Sequence, residues 1–138
     1  MMKKIVITSA TLLALAASPV FAATTPSAAT ITCVGAAVNA REASIDAAEM
    51  THTQATQAAY TARASALQQA WAMTSWAQIK PAVKAAWSAY NASLKTSAKA
   101  WRTSRNAAWT QYRTAVRACK TPVGMSDAAN AGAETVNQ

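Results

Sequence analysis

Small residues recur along this chain with a period of eleven. From Cys33 onward, steps of four and seven residues meet only Ala, Ser or Cys, at positions 33, 37, 44, 48, 55, 59, 66, 70 and 77, and again at 82, 86, 93, 97, 104, 108, 115 and 119. Eleven residues in three turns correspond to about 3.67 residues per turn, which is a helical period. Because small side chains let helix backbones approach closely, the pattern predicts two long helices packed along one seam.

Larger apolar residues follow the same period beside these small positions. Val83, Leu94 and Val116 are spaced by multiples of eleven, and so are Val34, Ile45 and Leu67. Five aromatic residues of the second half lie in the same rows: Trp87, Tyr90, Trp101, Trp109 and Tyr112. They are expected to flank the helix seam. The alternative is a strip of rings that stacks on a ligand or an assembly partner, so we keep these five as candidate stacking or assembly residues.

The helix boundaries follow from composition and from proline. Residues 33 to about 73 and about 78 to 119 are rich in Ala, Gln, Lys and Arg, which favour helix. Ser75 and Gln78 resemble a capping box, and Pro81 suits a first helical turn. We therefore predict a break at about 74–81, where the second helix could kink near Pro81.

The two ends of the chain differ from this helical region. Met1–Lys4 is basic, Ile5–Ala17 is apolar and Val20-Phe21-Ala22 offers small residues, which predicts a Sec-type signal peptide over 1–22, cleaved after about Ala22. Residues 23–32 read as a flexible leader and 121–138 as a disordered tail. No later stretch approaches the ~20 apolar residues of a transmembrane segment. A periplasmic or secreted location is expected.

Two cysteines define the topology of the helical region, 33–120. Exported chains usually oxidise such a pair, and Cys33 opens the first helix while Cys119 closes the second. Their midpoint lies in the predicted break, so residues whose numbers add up to about 152 should face each other across the hairpin. The predicted fold is therefore all-α: a long antiparallel two-helix hairpin, coiled-coil-like and closed by one disulfide. In this register Glu42, Asp46 and Glu49 lie within reach of Arg102, Arg105 and Arg113.

Composition excludes several fold classes and most catalytic ones. Alanine makes up 38 of the 138 residues, which leaves too few large apolar side chains for a sandwich, a barrel or a doubly wound sheet. There is one histidine, and only five residues are acidic. Glu49 and His52 have the Glu-x-x-His spacing of di-iron bundles, but such sites need two of these pairs and two further glutamates. We expect no enzyme, no metal, no cofactor and no small-molecule substrate.

Charge is distributed unevenly between the two predicted helices. The chain has 13 basic and 5 acidic residues, and loss of Lys3 and Lys4 with the signal peptide leaves a net charge of about +6. The second helix contains no acid, and most of its cations form one band: Lys80, Lys84, Lys95, Lys99, Arg102, Arg113 and Arg117. This band is either a solvated face whose long stems cover apolar surface or a binding site for phosphate backbones or anionic lipid.

Several short motifs resemble a recurring type of uncharacterised, small, exported, alanine-rich helical protein of candidate-phylum bacteria. The motifs are Thr32-Cys33, Ala40-Arg41-Glu42, Ala70-Trp71, Lys84-Ala85-Ala86-Trp87-Ser88-Ala89-Tyr90, Ala107-Ala108-Trp109-Thr110-Gln111-Tyr112-Arg113 and Ala118-Cys119-Lys120. The resemblance spans about 100 residues, and its motifs are compositionally biased. It implies an exported helical hairpin and no particular activity or ligand.

Together these patterns predict an exported, non-enzymatic structural or interaction protein of the bacterial envelope or exterior. Self-association is expected, because two long helices alone bury little apolar surface. The alternative is a cationic protein that binds a polyanion, either nucleic acid or an anionic membrane surface, through its basic second helix rich in Trp and Tyr.

Overall fold

The computed structural model describes residues 25–135, which form two long helices and one short one. Helix α1 is Ala28–Trp71, helix α2 is Trp76–Ala118, and a 3₁₀ helix covers Ala128–Thr135. No strand occurs between residues 25 and 135. The predicted signal peptide, 1–22, lies outside the described residues.

Helix α1 begins before Cys33. Ser27 is its N-cap, and the Ser27 Oγ accepts a hydrogen bond from the Thr30 backbone N–H at 3.1 Å. Because a serine cap satisfies a free donor of the first turn, and no helix breaker follows Pro26, residues 28–32 continue the helix. The prediction of a flexible leader over 23–32 is therefore wrong for these five residues.

The turn between the helices is shorter than the predicted break. Only residues 72–75 separate α1 from α2, and the Ser75 carbonyl accepts the first backbone hydrogen bonds of α2, from Gln78 and Ile79. The predicted capping box does not form, since the Ser75 Oγ donates to the Gln78 side chain and accepts no hydrogen bond from a backbone N–H of the first turn. Pro81 is inside α2 rather than in its first turn, and it cannot donate to the carbonyl one helical turn earlier.

The helices pack against each other as an antiparallel hairpin closed by the Cys33–Cys119 disulfide, whose Cα atoms are 5.8 Å apart. The predicted register is also observed. Trp101 bonds to Glu49, and the Tyr60 and Tyr90 rings lie 5.3 Å apart between centroids. The structure thus confirms the all-α hairpin and its disulfide.

The buried seam is narrower than the small-residue pattern predicts. Its members recur every eleven residues and are Ala37, Ala48, Ala59 and Ala70 on α1, with Ala86, Ser97, Ala108 and Cys119 on α2. Of the alternate predicted positions, Ser44, Ala55, Ser93 and Ser104 in the middle of the helices are exposed, whereas Ala66, Ala82 and Ala115 are half-buried. Steps of four and seven trace two lines about 30° apart around a helix. The helices bury one of these lines. Larger side chains pack on the far side of the buried line, so the exposed positions of the second line face solvent.

Enlarging a seam residue should destabilise the hairpin. Ala108 is 2% exposed and Ala59 is 6% exposed, so Ala108→Leu or Ala59→Leu should lower the free energy of unfolding by roughly 1–3 kcal/mol through overpacking. Ala89 is exposed on α2, and Ala89→Leu is the matched control with little expected effect. Urea unfolding followed by circular dichroism measures all three. Equal losses at the three sites would contradict this assignment of the seam.

Candidate functional site

One side of the hairpin, the aromatic face, is built from repeating layers. Arg41, His52 and Arg63 follow each other at intervals of eleven on α1, and Tyr90, Trp101 and Tyr112 do so on α2. Because the helices are antiparallel and share one period, each residue of the first set lies beside one of the second. The layers therefore combine a basic side chain from α1 with aromatic rings from α2.

The layer nearest the disulfide surrounds Arg41. Its guanidinium carbon lies 4.2 Å from the ring centroid of Trp109 and 4.6 Å from that of Tyr112, and the residue is only 6% exposed. The guanidinium also forms ion pairs with Glu42 and with Asp127, the latter at 2.7 Å from Nη1 to Oδ2. Burial would lower the pKa of Arg41, but hydrogen bonds to these two carboxylates raise it. Arg41 is therefore a fully charged group inside the hairpin.

Asp127 holds the C-terminal segment against the hairpin. Besides its pair with Arg41, its backbone N–H donates to the Tyr112 hydroxyl at 3.3 Å, and the following Ala128 and Ala131 pack on the core that contains Tyr112. The prediction of a disordered tail over 121–138 is therefore wrong for the described part, up to residue 135. The physical reason is a long-range ion pair, which no local pattern signals.

Acidification should release this segment. Burial would raise the pKa of Asp127, but hydrogen bonds to Tyr112 and Arg41 lower it below its usual 3.8. A lowered pKa in the folded state means that docking is fully stabilised above pH 3.8 and weakens as the pH falls through the lowered value. Backbone NMR relaxation of residues 125–133 should therefore show greater mobility near pH 2 than at pH 6.

Asp127→Asn is the control for this experiment, because Arg41 also forms an ion pair with a second carboxylate, that of Glu42. The variant should show a mobile segment at pH 6 already, with little further change on acidification. A segment that stays ordered at pH 2 in the native protein would contradict the prediction.

The middle layer contains the Glu-x-x-His pair. The Trp101 Nε1 donates to the Glu49 carboxylate, and the His52 Nδ1 lies 2.7 Å from the Ser97 Oγ. Both side chains thus bond across the hairpin to α2. In the part of the chain that the structure describes, no group of three or more His, Cys, Asp or Glu residues could hold a metal ion.

The predicted ion pairs between the helices do not form as expected. Both ion pairs among the described residues belong to Arg41, and neither involves Arg102, Arg105 or Arg113. Arg105 is instead 7% exposed, bonds to the Asn106 side chain and lies 4.8 Å from the Trp101 ring centroid. The buried arginine of α2, Arg105, therefore has an aromatic ring and an amide as its neighbours rather than a carboxylate.

The layer nearest the turn surrounds Arg63. Its guanidinium carbon is 4.4 Å from the ring centroid of Tyr90, 4.6 Å from Trp87 and 5.1 Å from Tyr60. Three rings within about 6 Å of one guanidinium form a cation–π cluster. These contacts tie α1 to α2 at a level where the seam itself has only small side chains.

The exposure of the predicted aromatic rows favours their role as flanks of the seam. Tyr90, Trp101, Trp109 and Tyr112 are each less than a tenth exposed, so these rings flank the seam and present little surface to a ligand. Trp87, at 43% exposed, is the one member of the five that solvent reaches well.

Other exposed rings lie at the turn, where the sequence analysis did not place a site. Trp71 is 62% exposed and Trp76 is 64% exposed. Their exposure could have been predicted from their positions beside the helix break, because a side chain at the end of a two-helix rod has few neighbours to cover it.

The basic band lies on the surface of α2. Six of its seven residues are exposed, and the seventh, Arg113, is half-buried and donates a hydrogen bond to the Thr110 hydroxyl at 3.1 Å. No acidic residue occurs between positions 50 and 126. Both ion pairs of the described residues are made by Arg41, so none of them involves a residue of this band.

The opposite side of the hairpin, the small-residue face, carries an open groove of about 850 Å³. Apart from His52 and Trp101, its lining is Ala, Ser or Thr, and no Asp, Glu, Lys or Arg contributes. Its exposed members include Ala47, Thr51, Ala55, Ala58 and Ala62 on α1, with Ala92, Ser93, Thr96, Ala100 and Ser104 on α2. The outward half of the small-residue pattern therefore becomes a smooth, uncharged surface.

Neither long helix, nor any other helix within residues 25–135, is long and apolar enough to cross a membrane. No family model, curated protein or solved structure matches the chain.

Proposed function

We propose that this is an exported, non-enzymatic structural or interaction protein of the bacterial envelope or exterior, and that it self-associates through the small-residue face. The observation that carries the proposal is the groove of about 850 Å³ without a charged residue in its lining. The exported chain, with a net charge of about +6 once Lys3 and Lys4 are removed with the signal peptide, repels its own copies, so a contact between copies is favourable only where few charges are buried.

The shape of this face also suits a second copy. Its side chains are small along both helices, so the helices of another hairpin can approach closely, as the two helices of one hairpin do at the seam. Two hairpins joined face to face would form a four-helix arrangement with the aromatic faces and the basic bands outside. This geometry buries alanine surface that a single hairpin leaves in water.

A charge placed in the groove should prevent self-association without unfolding the hairpin. Ala58 lines the groove and is exposed, so Ala58→Arg should give a monomer by sedimentation velocity at concentrations where the native protein associates. Ala64→Arg is the matched control, because Ala64 is exposed on α1 outside the groove. A native protein that stays monomeric at high micromolar concentration would contradict the proposal.

Export and the periplasmic or secreted location belong to the same proposal. The full chain, produced in a bacterium, should appear in the periplasm or medium with a new N-terminus at Ala23, as measured by mass spectrometry of the purified protein. A cytoplasmic product that keeps Met1 and has free thiols at Cys33 and Cys119 would contradict export.

A polyanion-binding role is the second candidate function. It is favoured by the exposed cations of the basic band together with the absence of acids between positions 50 and 126. Binding of this kind should weaken steeply with salt, because each neutralised phosphate releases counterions. No binding to single-stranded nucleic acid or anionic vesicles at about 50 mM salt would exclude this role.

A further inference from the structure

The turn end of the hairpin carries an exposed apolar cluster, the hairpin tip, formed by Trp71, Met73 and Trp76. These side chains are 62%, 40% and 64% exposed. The two indole rings contact each other, with centroids 6.3 Å apart and planes at 42°. Large apolar groups concentrated at one end of a rod are expected to contact another surface, since scattered single exposure is the ordinary case for soluble proteins.

The charged residues nearest the hairpin tip are all cationic. Lys80 and Lys84, both exposed, lie in the first turns of α2 directly after the tip. The nearest acid along α1 is Glu49, some 35 Å from the turn at 1.5 Å per residue. This separation exceeds the Debye length of about 8 Å at physiological salt, so acidic residues do not weaken the positive potential at the tip.

We propose that the hairpin tip docks end-on to an anionic lipid bilayer, with Trp71, Met73 and Trp76 at the level of the headgroups and Lys80 and Lys84 against the lipid phosphates. Tryptophan is favoured at this level of a membrane because its ring is apolar and its N–H is polar. Lysine beside such an anchor adds attraction to anionic lipid. The docking is peripheral and leaves both helices outside the hydrocarbon core.

The chemistry of the tip distinguishes this occupant from two others. A second copy of the tip would bring like charges together. Single-stranded nucleic acid stacks successive bases on aromatic planes along a cationic groove, whereas the two indoles form one tilted pair at the end of the rod and the thioether side chain of Met73 offers no plane for a base. The mixture of indole, thioether and ammonium groups fits a lipid interface.

Docking by the tip is a specific form of the second candidate function, in which the polyanion is a lipid surface. The apolar residues that contact it lie at the end of the rod and not along the side of α2. This docking does not depend on self-association. The small-residue face lies along the middle of the helices, so a variant of the tip should leave association unchanged, and the two proposals fail separately.

Vesicle binding tests the proposal on the mature, oxidised protein. The protein should sediment together with vesicles of phosphatidylglycerol and phosphatidylcholine, and its tryptophan emission should shift to shorter wavelength when it binds. The double variant Trp71→Ser/Trp76→Ser should reduce the partition coefficient about tenfold or more. Met50→Ser is the matched control, because Met50 is 62% exposed but lies in the middle of α1.

The position of the charges is tested with two double variants that each remove two positive charges and therefore have the same net charge. Lys80→Gln/Lys84→Gln should weaken binding more than Lys95→Gln/Lys99→Gln, since only the first pair lies beside the tip. Equal weakening would assign binding to the length of the basic band and would overturn docking by the tip.

Quenching in the native protein gives a measurement that does not depend on the variants. Lipids brominated near the headgroup end of their acyl chains should quench part of the tryptophan emission, and the quenching should vanish in Trp71→Ser/Trp76→Ser. Absence of quenching, absence of vesicle binding at about 50 mM salt, or binding to single-stranded nucleic acid alone would each overturn the proposal.

Discussion

Replacing both cysteines, as Cys33→Ser/Cys119→Ser, is expected to lower the free energy of unfolding by about 4–5 kcal/mol. The disulfide joins residues separated by 86 positions and lies at the open end of the hairpin, so it encloses nearly all of both long helices. Without it, the unfolded chain gains the freedom to separate its ends. A hairpin whose buried seam consists mainly of alanine has little apolar burial with which to compensate. Urea unfolding followed by circular dichroism measures the loss.

Reduction of the native protein is the control for that substitution, because it breaks the same bond without changing a residue. Amide hydrogen exchange should then rise first at the open ends of the helices, near residues 28–36 and 112–118, and last near the turn. A loss below about 1 kcal/mol would show that packing, and not the covalent link, supplies most of the stability.

Arg41→Ala is expected to lower the free energy of unfolding by about 2–3 kcal/mol. The guanidinium is 6% exposed and contacts two aromatic rings and two carboxylates, so alanine leaves a void beside Trp109 and removes the partner of Asp127. The effect stays below that of a fully buried ion pair because both carboxylates reach solvent, with side chains 51% and 38% exposed. Urea unfolding gives the energy.

The same variant should release the C-terminal segment, which distinguishes a specific anchor from general destabilisation. NMR relaxation of residues 125–133 should show high mobility in Arg41→Ala under conditions where the hairpin remains folded. Arg41→Lys keeps the charge but loses the planar, forked group, so it should restore only part of the stability. Arg102→Ala, on the exposed band, is expected to change stability by less than about 0.5 kcal/mol. An ordered segment in Arg41→Ala would contradict the anchoring role.

The hairpin was predictable because its determinants are local or covalent. Eleven-residue spacing is a property of the chain itself, and it makes one face of each helix small before any tertiary contact exists. Cys33 and Cys119 add one long-range constraint, and together with the break they set the antiparallel register. The register places Tyr60 beside Tyr90 and Glu49 beside Trp101, as the prediction required.

The candidate surfaces were less predictable. The eleven-residue period does not determine which of the two lines of small residues is buried. Ser44 and Ala48 belong to the same small-residue pattern, yet Ser44 is exposed and Ala48 is buried. Which line is buried depends on the aromatic layers. Tyr112 and Trp109 pack on Arg41 on one side of the seam, and the line of small residues on the other side is left facing solvent. The register predicts carboxylate partners for Arg102, Arg105 and Arg113, but Arg105, which is buried, lies beside the Trp101 ring and bonds to the Asn106 side chain.

The amino-acid sequence by itself determined the helical period, the seam, the covalent closure and the uneven distribution of charge. Only the tertiary structure decided that four of the five candidate aromatics are buried, that Asp127 anchors the C-terminal segment on Arg41, and that Trp71 and Trp76 are exposed at the tip. The physical reason is that helix formation follows from neighbours along the chain, whereas burial depends on residues that fold against each other from distant positions.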